Sequence, residues 1–354
     1  MVTQRLIGIK RMKIKNIYIA MVALLMAGCS EADIDNGQQQ KGLMPVLFSA
    51  GNMEATITRA AVPYMPEDSK FVCAMYFHAG AKDSNNSEYA SPQPEINMFF
   101  NELTIDGNLG NARYKDDMSF YWQNRLNHVF LALADNNKRT TAPEVSVGGK
   151  LLCDLTRTDE ISTMDIQPDP IVACKEMSPA GATPEANRVK LYFNHQLAQI
   201  QVNIKSSLDA SASITADQIK SVELIGVARN VSVPFAIKSN GDVQELVVSE
   251  QTQDFNMFDC AIPASGYIKS FECIAFGTLK TIRITWEEKN KDIDGNPFVH
   301  KAELKSVNDV LLLSGHKYIY NVELRRTVIA KVSAEIVDWT DDGTNYTAKG
   351  TINE

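Results

Sequence analysis

The stretch LYFNHQLAQIQVNIK, Leu191 to Lys205, decides the fold. Its second half sets Ile200, Val202 and Ile204 on one side of an extended chain and Gln201, Asn203 and Lys205 on the other. That is the period of two expected of a strand with one face buried and one in water. The pattern recurs downstream. Ile282, Ile284 and Trp286 alternate with Arg283 and Thr285, and Tyr318, Tyr320, Val322 and Leu324 alternate with Ile319, Asn321 and Glu323. Strands that are apolar on one side only belong to antiparallel sheets. Turn-forming residues separate them, at Ser239–Asp242 (SNGD) and Asp292–Asn296 (DIDGN). No sustained helical stripe interrupts the series; ITADQIKSV, Ile214 to Val222, supplies one or two turns. The expected fold is all-β, built of antiparallel β-sandwiches.

Working outward, the alternation breaks at MSPAGATPEANR, Met177 to Arg188, where Pro, Gly and Ala take over. A chain of 354 residues is long enough for two ordinary domains. The expected boundaries are therefore residues 43–180 for an N-terminal sandwich and 187–354 for a C-terminal one. The composition, 44% hydrophobic and 22% charged, is globular. A formal net charge of −8, with no basic stripe beyond the first residues, argues against a nucleic-acid partner.

The first residues read as an export signal rather than as fold. Lys10, Arg11, Lys13 and Lys15 form a positive region, and Ile17 to Ala27 form an apolar run of eleven residues. That run is short of the roughly 20 residues a bilayer span takes. Met12 reads as the start of a complete leader, to which Met1–Arg11 adds no needed part. The junction LMAGC at Leu25–Cys29 resembles a bacterial lipobox, with Met26 where Leu is usual. It implies a signal peptide over residues 1–28 and acylation of Cys29. The alternatives are that Cys29 closes an uncleaved apolar segment or precedes an ordinary signal-peptidase cut. Two or more acyl chains anchor stably, at about 0.8 kcal/mol per buried CH₂. Glu31, Asp33 and Asp35 resemble the acidic surface-export tether of Bacteroidetes lipoproteins, within a polar linker over residues 29–42.

Beyond Cys29 the cysteines are Cys73, Cys153, Cys174, Cys260 and Cys273, with no C-x-x-C pair. This is neither a zinc ribbon nor a thioredoxin motif. Cys260 with Cys273 is the pair a disulfide would join if their strands are neighbours, but the five scattered cysteines read first as small buried hydrophobes. Signals for chemistry are weak. DIDGN lacks the further ligands and closing Glu of a calcium loop. His78, His128, His195, His300 and His316 are not spaced as metal ligands on a helix, and His195 reads as a structural residue. PASG at Pro263–Gly266 lacks the flanking glycine of a nucleophile elbow, and no phosphate loop is present. No catalytic residue, metal or cofactor is assigned, and the chain is not expected to be an enzyme. Trp122, Trp286 and Trp339 are either core residues or platforms for sugars.

Several segments carry a family resemblance. Leu191–Lys205 is similar to the opening of the second domain in fimbrillin-like proteins of Bacteroidetes. QPDPIVA (Gln167–Ala173) resembles the strand before it. LLSGHKYIYNVEL and VSAEIVDW resemble the closing segments, and FSAGNMEATITRA (Phe48–Ala60) the first strand with its terminal T-R-A. The resemblance implies two transthyretin-like sandwiches in tandem and a lipoprotein precursor at the outer membrane. A trypsin-like, Arg-specific protease would cut between Arg59 and Ala60, and other fimbrial subunits would then complete the sandwich by donating a strand, building a surface fimbria for adhesion. Tyr346, Ala348, Gly350 and Ile352, which alternate along the tail, are the candidate donor residues. The alternatives are that the tail is an edge strand of its own domain, or that Val328–Ile336 donates instead. A glycan-binding surface lipoprotein, resting on Trp122 and Trp286, is the competing function.

Overall fold

The computed structural model describes residues 43–52, 65–78, 89–90, 100–106, 110–115, 119–146, 149–209, 211–238, 242–339 and 347–348. Among these residues the regular elements are strands, apart from short 3-10 turns.

The alternation read from Leu191–Lys205 is realised in two different sheets. Val189–His195 is strand β9, and Ala198–Ser206 is strand β10. β9 lies in an eight-stranded sheet with β1 (Phe48–Asn52), β2 (Lys70–His78), β3 (Tyr89–Ala90), β4 (Phe100–Asp106), β5 (Asn111–Tyr114), β6 (His128–Asp135) and β8 (Pro170–Met177). The order is β3-β2-β4-β5-β1-β9-β8-β6, and β6 pairs back onto β2, so the hydrogen-bond ladders run in a closed ring. The expected boundary at residues 180–187 falls between β8 and β9, which are neighbours in this one sheet through Ile171↔His195 and Val172↔Asn194.

Past the turn at Gln196–Leu197 the chain enters the second half. A six-stranded sheet runs β15 (Phe258–Asp259), β16 (Lys269–Ala275), β10, β19 (His316–Leu324), β20 (Ile329–Asp338), β21 (Thr347–Ala348). A four-stranded sheet runs β14 (Thr252–Asn256), β11 (Ile219–Ala228), β17 (Gly277–Lys291), β18 (Pro297–Leu312). Their facing sides share one core. Ile200, Val202, Ile204, Tyr318 and Val322 from one sheet meet Val222, Leu224, Ile282, Ile284 and Trp286 from the other. The alternate residues named from sequence thus point inward together. Two ladders depart from antiparallel pairing: β1 runs parallel to β9, and β10 parallel to β19. A one-face alternation reports burial and carries no strand direction.

A three-stranded sheet joins the halves: β7 (Lys150–Asp154) pairs with β12 (Asn230–Pro234), which pairs with β13 (Val247–Val248). Its inner residues Cys153, Val231 and Val233 pack with Val72, Ala74, Leu131 and Leu133 from β2 and β6, with Ile274 of β16 and with Trp339 just after β20.

Local expectations resolve individually. Asp292–Asn296 is the hairpin turn between β17 and β18, with Gly295 at φ +82 and the Asp292 N–H donating to the Asn296 carbonyl at 2.8 Å. The tip of Ser239–Asp242 lies outside the described residues. Ile214–Val222 yields a single 3-10 turn, Ala216–Gln218, before β11 begins. The disulfide between Cys260 and Cys273 is absent, and both are free. Their strands are adjacent, but Cys273 faces the sandwich core while Cys260 sits beside Glu272 on the opposite face. Burial, reinforced by Glu272, pushes the Cys260 thiol up to about 12.

Candidate functional site: the seat of the first strand

β1 has the sequence FSAGN and is preceded by Met44-Pro45-Val46-Leu47. Val46 and Phe48 have no exposure and Ala50 is 1% exposed, so alternate residues from 46 to 50 plug the interior of the ring. The Phe48 ring is set edge-on against Phe130 at 5.4 Å, Tyr114 at 5.9 Å and Phe120 at 6.2 Å. Such edge-to-face contacts add to the burial of the ring itself.

The backbone of the strand is held on both sides. β5 pairs antiparallel with it (Phe48↔Ala112, Ser49↔Asn111), and β9 parallel (Phe48↔Val189 through Asn52↔Phe193). The lead-in is held equally. The Val46 N–H donates to Phe120 O at 2.9 Å, Trp122 N–H to Met44 O at 3.1 Å, and Val189 N–H to Leu47 O at 2.8 Å. Two side chains reach the strand from outside it: the Tyr114 hydroxyl donates to Val46 O at 2.8 Å, and the Arg188 guanidinium to Phe48 O at 3.1 Å.

The loop before β9 is shaped for this. Asn187, 1% exposed, donates to Gly181 O and Thr183 O, each at 2.9 Å, and accepts from Gly181 N at 2.8 Å. A Cβ on Gly181 would stand 2.5 Å from that of Ala186, so the turn closes only around glycine. Arg188 and Asn187 were not singled out from sequence; a polar pair ending a Pro/Gly/Ala-rich loop gives no sign of the strand it grips.

At the end of the seat, His128 is fully buried beneath Trp122, with ring centroids 4.8 Å apart. Its Nε2 accepts from Gln123 N–H at 3.1 Å and its Nδ1 faces Leu126 O at 2.9 Å, an arrangement suited to the neutral imidazole. Burial pushes its pKa down to about 4. Between its ordinary value near 6.5 and about 4, the unfolded chain binds a proton that the native chain refuses. Stability from this group is therefore complete above pH 6.5 and falls with pH through that window, by about 3 kcal/mol in all. Asp135 and Glu272, whose pKa values burial raises, act with the opposite sign. Comparing the native chain with His128→Asn isolates the histidine: denaturation midpoints measured from pH 7 to pH 4.5 should fall more steeply for the native chain. Parallel slopes would remove His128 as the cause.

The other residues expected to matter are placed as follows. Cys29, Arg59 and Ala60 lie outside the described residues, the latter two between the end of β1 and Met65. Tyr346, Gly350 and Ile352 also lie outside them. Ala348 lies in β21 at the edge of the six-stranded sheet, opposite Ile336. Val328–Ile336 contributes β20, between β19 and β21.

The tryptophans are core residues: Trp122, Trp286 and Trp339 are 3%, 1% and 6% exposed. Trp286 donates to Arg326 O at 2.8 Å, and Trp339 is stacked on His195 at 3.7 Å. No indole face is open to a sugar, so the glycan-binding reading loses the residues that motivated it. His195 is structural, its Nδ1 2.9 Å from Asp169 Oδ1. Among the described residues, no cluster of His, Cys, Asp or Glu could hold a metal ion.

A ring of ladders filled by its own first strand, followed by a two-sheet sandwich, defines a class of all-β proteins rather than a single molecule. The sequence profile of the fimbrillin-like family matches residues 58–339, and the chain belongs to that family. In fold it is similar to a candidate cell adhesion protein of Bacteroides uniformis ATCC 8492 (TM-score 0.52, 15% identity, 84% of this chain and 99% of that one). A second candidate cell adhesion protein, from Bacteroides ovatus ATCC 8483, matches to the same extent (TM-score 0.52, 15% identity, 84% and 99%). No curated protein matches the chain.

Proposed function

We propose that this chain is the precursor of a cell-surface pilus subunit, anchored to the outer membrane through an acylated Cys29. A trypsin-like protease cuts it between Arg59 and Ala60, and a strand from a neighbouring subunit completes it. The observation that carries this reading is the position of β1. It plugs the ring, yet every residue of it precedes Arg59, so one cut severs plug and anchor from the body together. Membership of the fimbrillin-like family and a fold shared with candidate adhesion proteins support the surface role.

The physical logic is that of strand addition. Loss of β1 strips partners from β5 and β9 at once and bares the places of Val46 and Phe48. A replacement strand recovers roughly 1.5–3 kcal/mol for each large apolar side chain it buries. Each ladder bond adds about 0.5–1.5 kcal/mol, less the cost of ordering the donor.

Limited digestion of the purified full chain with an Arg-specific protease tests it. The expected product begins at Ala60, has lost β1, and runs as a heat-labile ladder on gels; Arg59→Ala yields neither. A digested chain that keeps residues 43–59 bound and stays monomeric would overturn the proposal.

A further inference from the structure

Two adjacent arginines stand at the tip of a hairpin in the second half. Arg325-Arg326-Thr327-Val328 joins β19 to β20 between the paired residues Leu324 and Ile329, and every residue of it is exposed. A protease that cuts after arginine meets this turn on the same molecule it is to process at Arg59. A cut here would break the link to β20, and to Trp339 at the junction of the halves. We infer that Trp286 and Glu288 of β17 guard the turn: they hold Arg326 in a form that an Arg-specific protease cannot seat, so that Arg326–Thr327 is a latent cleavage site. This rests on the processing reading above and adds what spares the body from the same enzyme.

A protease takes its substrate as an extended strand, bonds the backbone beside the cut, and draws the carbonyl oxygen of the bond to be broken into an oxyanion hole. At Arg326 each of these groups is already engaged. Its N–H donates to Ala212 O at 2.9 Å, its carbonyl accepts from the Trp286 indole N–H at 2.8 Å, and its guanidinium Nε stands 3.3 Å from Glu288 Oε2. The residue before it is folded back as well, the Arg325 N–H donating to Val328 O at 2.8 Å across the turn. The Arg326 side chain is half exposed, yet its peptide bond is not presented.

The guards are themselves anchored. Trp286 is 1% exposed in the core of the sandwich, so its indole cannot swing out to release the carbonyl. The Glu288 side chain is largely buried, its other oxygen is 2.8 Å from His300 Nε2, and the His300 ring lies on Trp286 with centroids 5.5 Å apart. The turn becomes a substrate only when the hairpin end lifts away from β17 and Ala212 together. Cutting then follows the population of that opened form.

Timed digestion of the full chain with an Arg-specific protease, read by mass spectrometry for new N-termini, tests the guard. The native chain should yield no terminus at Thr327, whereas the chain held unfolded in urea should be cut there. Trp286→Phe keeps an aromatic ring and removes the N–H donor, and should speed the appearance of Thr327 roughly three- to tenfold. Glu288→Gln keeps the shape and removes the charge, and should speed it roughly two- to fivefold. Ile282→Val trims the same core from β17 without touching the turn, and should leave the rate unchanged. The inference is overturned if neither guard variant is cut faster than the native chain, or if Ile282→Val gains as much as they do. A native chain cut in this turn at the rate of the unfolded chain overturns it equally. Absence of the Ala60 terminus, with these effects intact, would instead strike at the processing reading alone.

Discussion

Phe48→Ala is expected to lower the unfolding free energy of the intact precursor by about 3–5 kcal/mol, the usual cost of emptying a fully buried aromatic site. The ring of Phe48 has no exposure and touches Tyr114, Phe120 and Phe130, residues supplied by β5, β6 and the segment between them. Their mutual spacing leaves a hole that a rigid set of strands cannot close. Ser49→Ala, on the same strand but pointing away from the plug, should change stability by less than about 0.5 kcal/mol. Denaturant titration of both variants against the native chain, followed by intrinsic fluorescence, checks the pair. A Phe48→Ala loss under about 1 kcal/mol would mean that the ring stands without its first strand, and that a vacated seat provides no drive for assembly.

The second large effect is expected at the junction of the halves. His195 and Asp169, 4% and 1% exposed, are 2.9 Å apart, and the imidazole lies flat on Trp339 with 6° between the rings. Asp169 Oδ2 also accepts from Asn136 Nδ2 at 3.0 Å. His195→Ala leaves a buried carboxyl short of a partner and bares the face of the indole, and should cost about 3–5 kcal/mol. Trp339→Ala acts on the same stack, so the two losses will not add. A double-mutant cycle should return a coupling of about 0.5–3 kcal/mol. Additive losses would show that the stacked geometry contributes nothing of its own.

The strands that were readable were those with one wet face. Ile200, Val202, Ile204, Ile282, Ile284, Tyr318 and Val322 all lie in one core, as their alternation requires. Asn203 is the exception on the supposed wet side. It is 4% exposed and satisfied by Ser270 and Asn321, because the sheet's outer face is itself partly covered. β2 and β6 are another matter: FVCAMY and VFLALA are apolar without interruption and buried on both sides. A continuous run announces double burial and leaves open against what; the answer is the sheet formed by β7, β12 and β13, which draws on both halves of the chain. The same gap explains Leu191–Lys205. Nothing in its alternation marks the two residues at which it leaves one sheet for the other.

The seat was legible only in part. The first strand was picked out by resemblance. The residues that grip β1 and its lead-in were not, since Tyr114 and Arg188 each act through a hydrogen bond to a backbone carbonyl, Asn187 only shapes the loop before β9, and none follows a period. Pairing of Cys260 with Cys273 was open in the sequence for a related reason: adjacency of two strands says nothing of which faces their residues occupy.

The pairing of β7 with β12 has a mechanical consequence. Asn230↔Asp154 through Pro234↔Lys150 binds a segment from before β8 to one from after β11. Any tension passing from the ring to the sandwich is therefore shared between the covalent link at Gln196–Leu197 and this lateral ladder. Load sharing of that kind resists swivelling and makes the body behave as a strut rather than as two beads on a string.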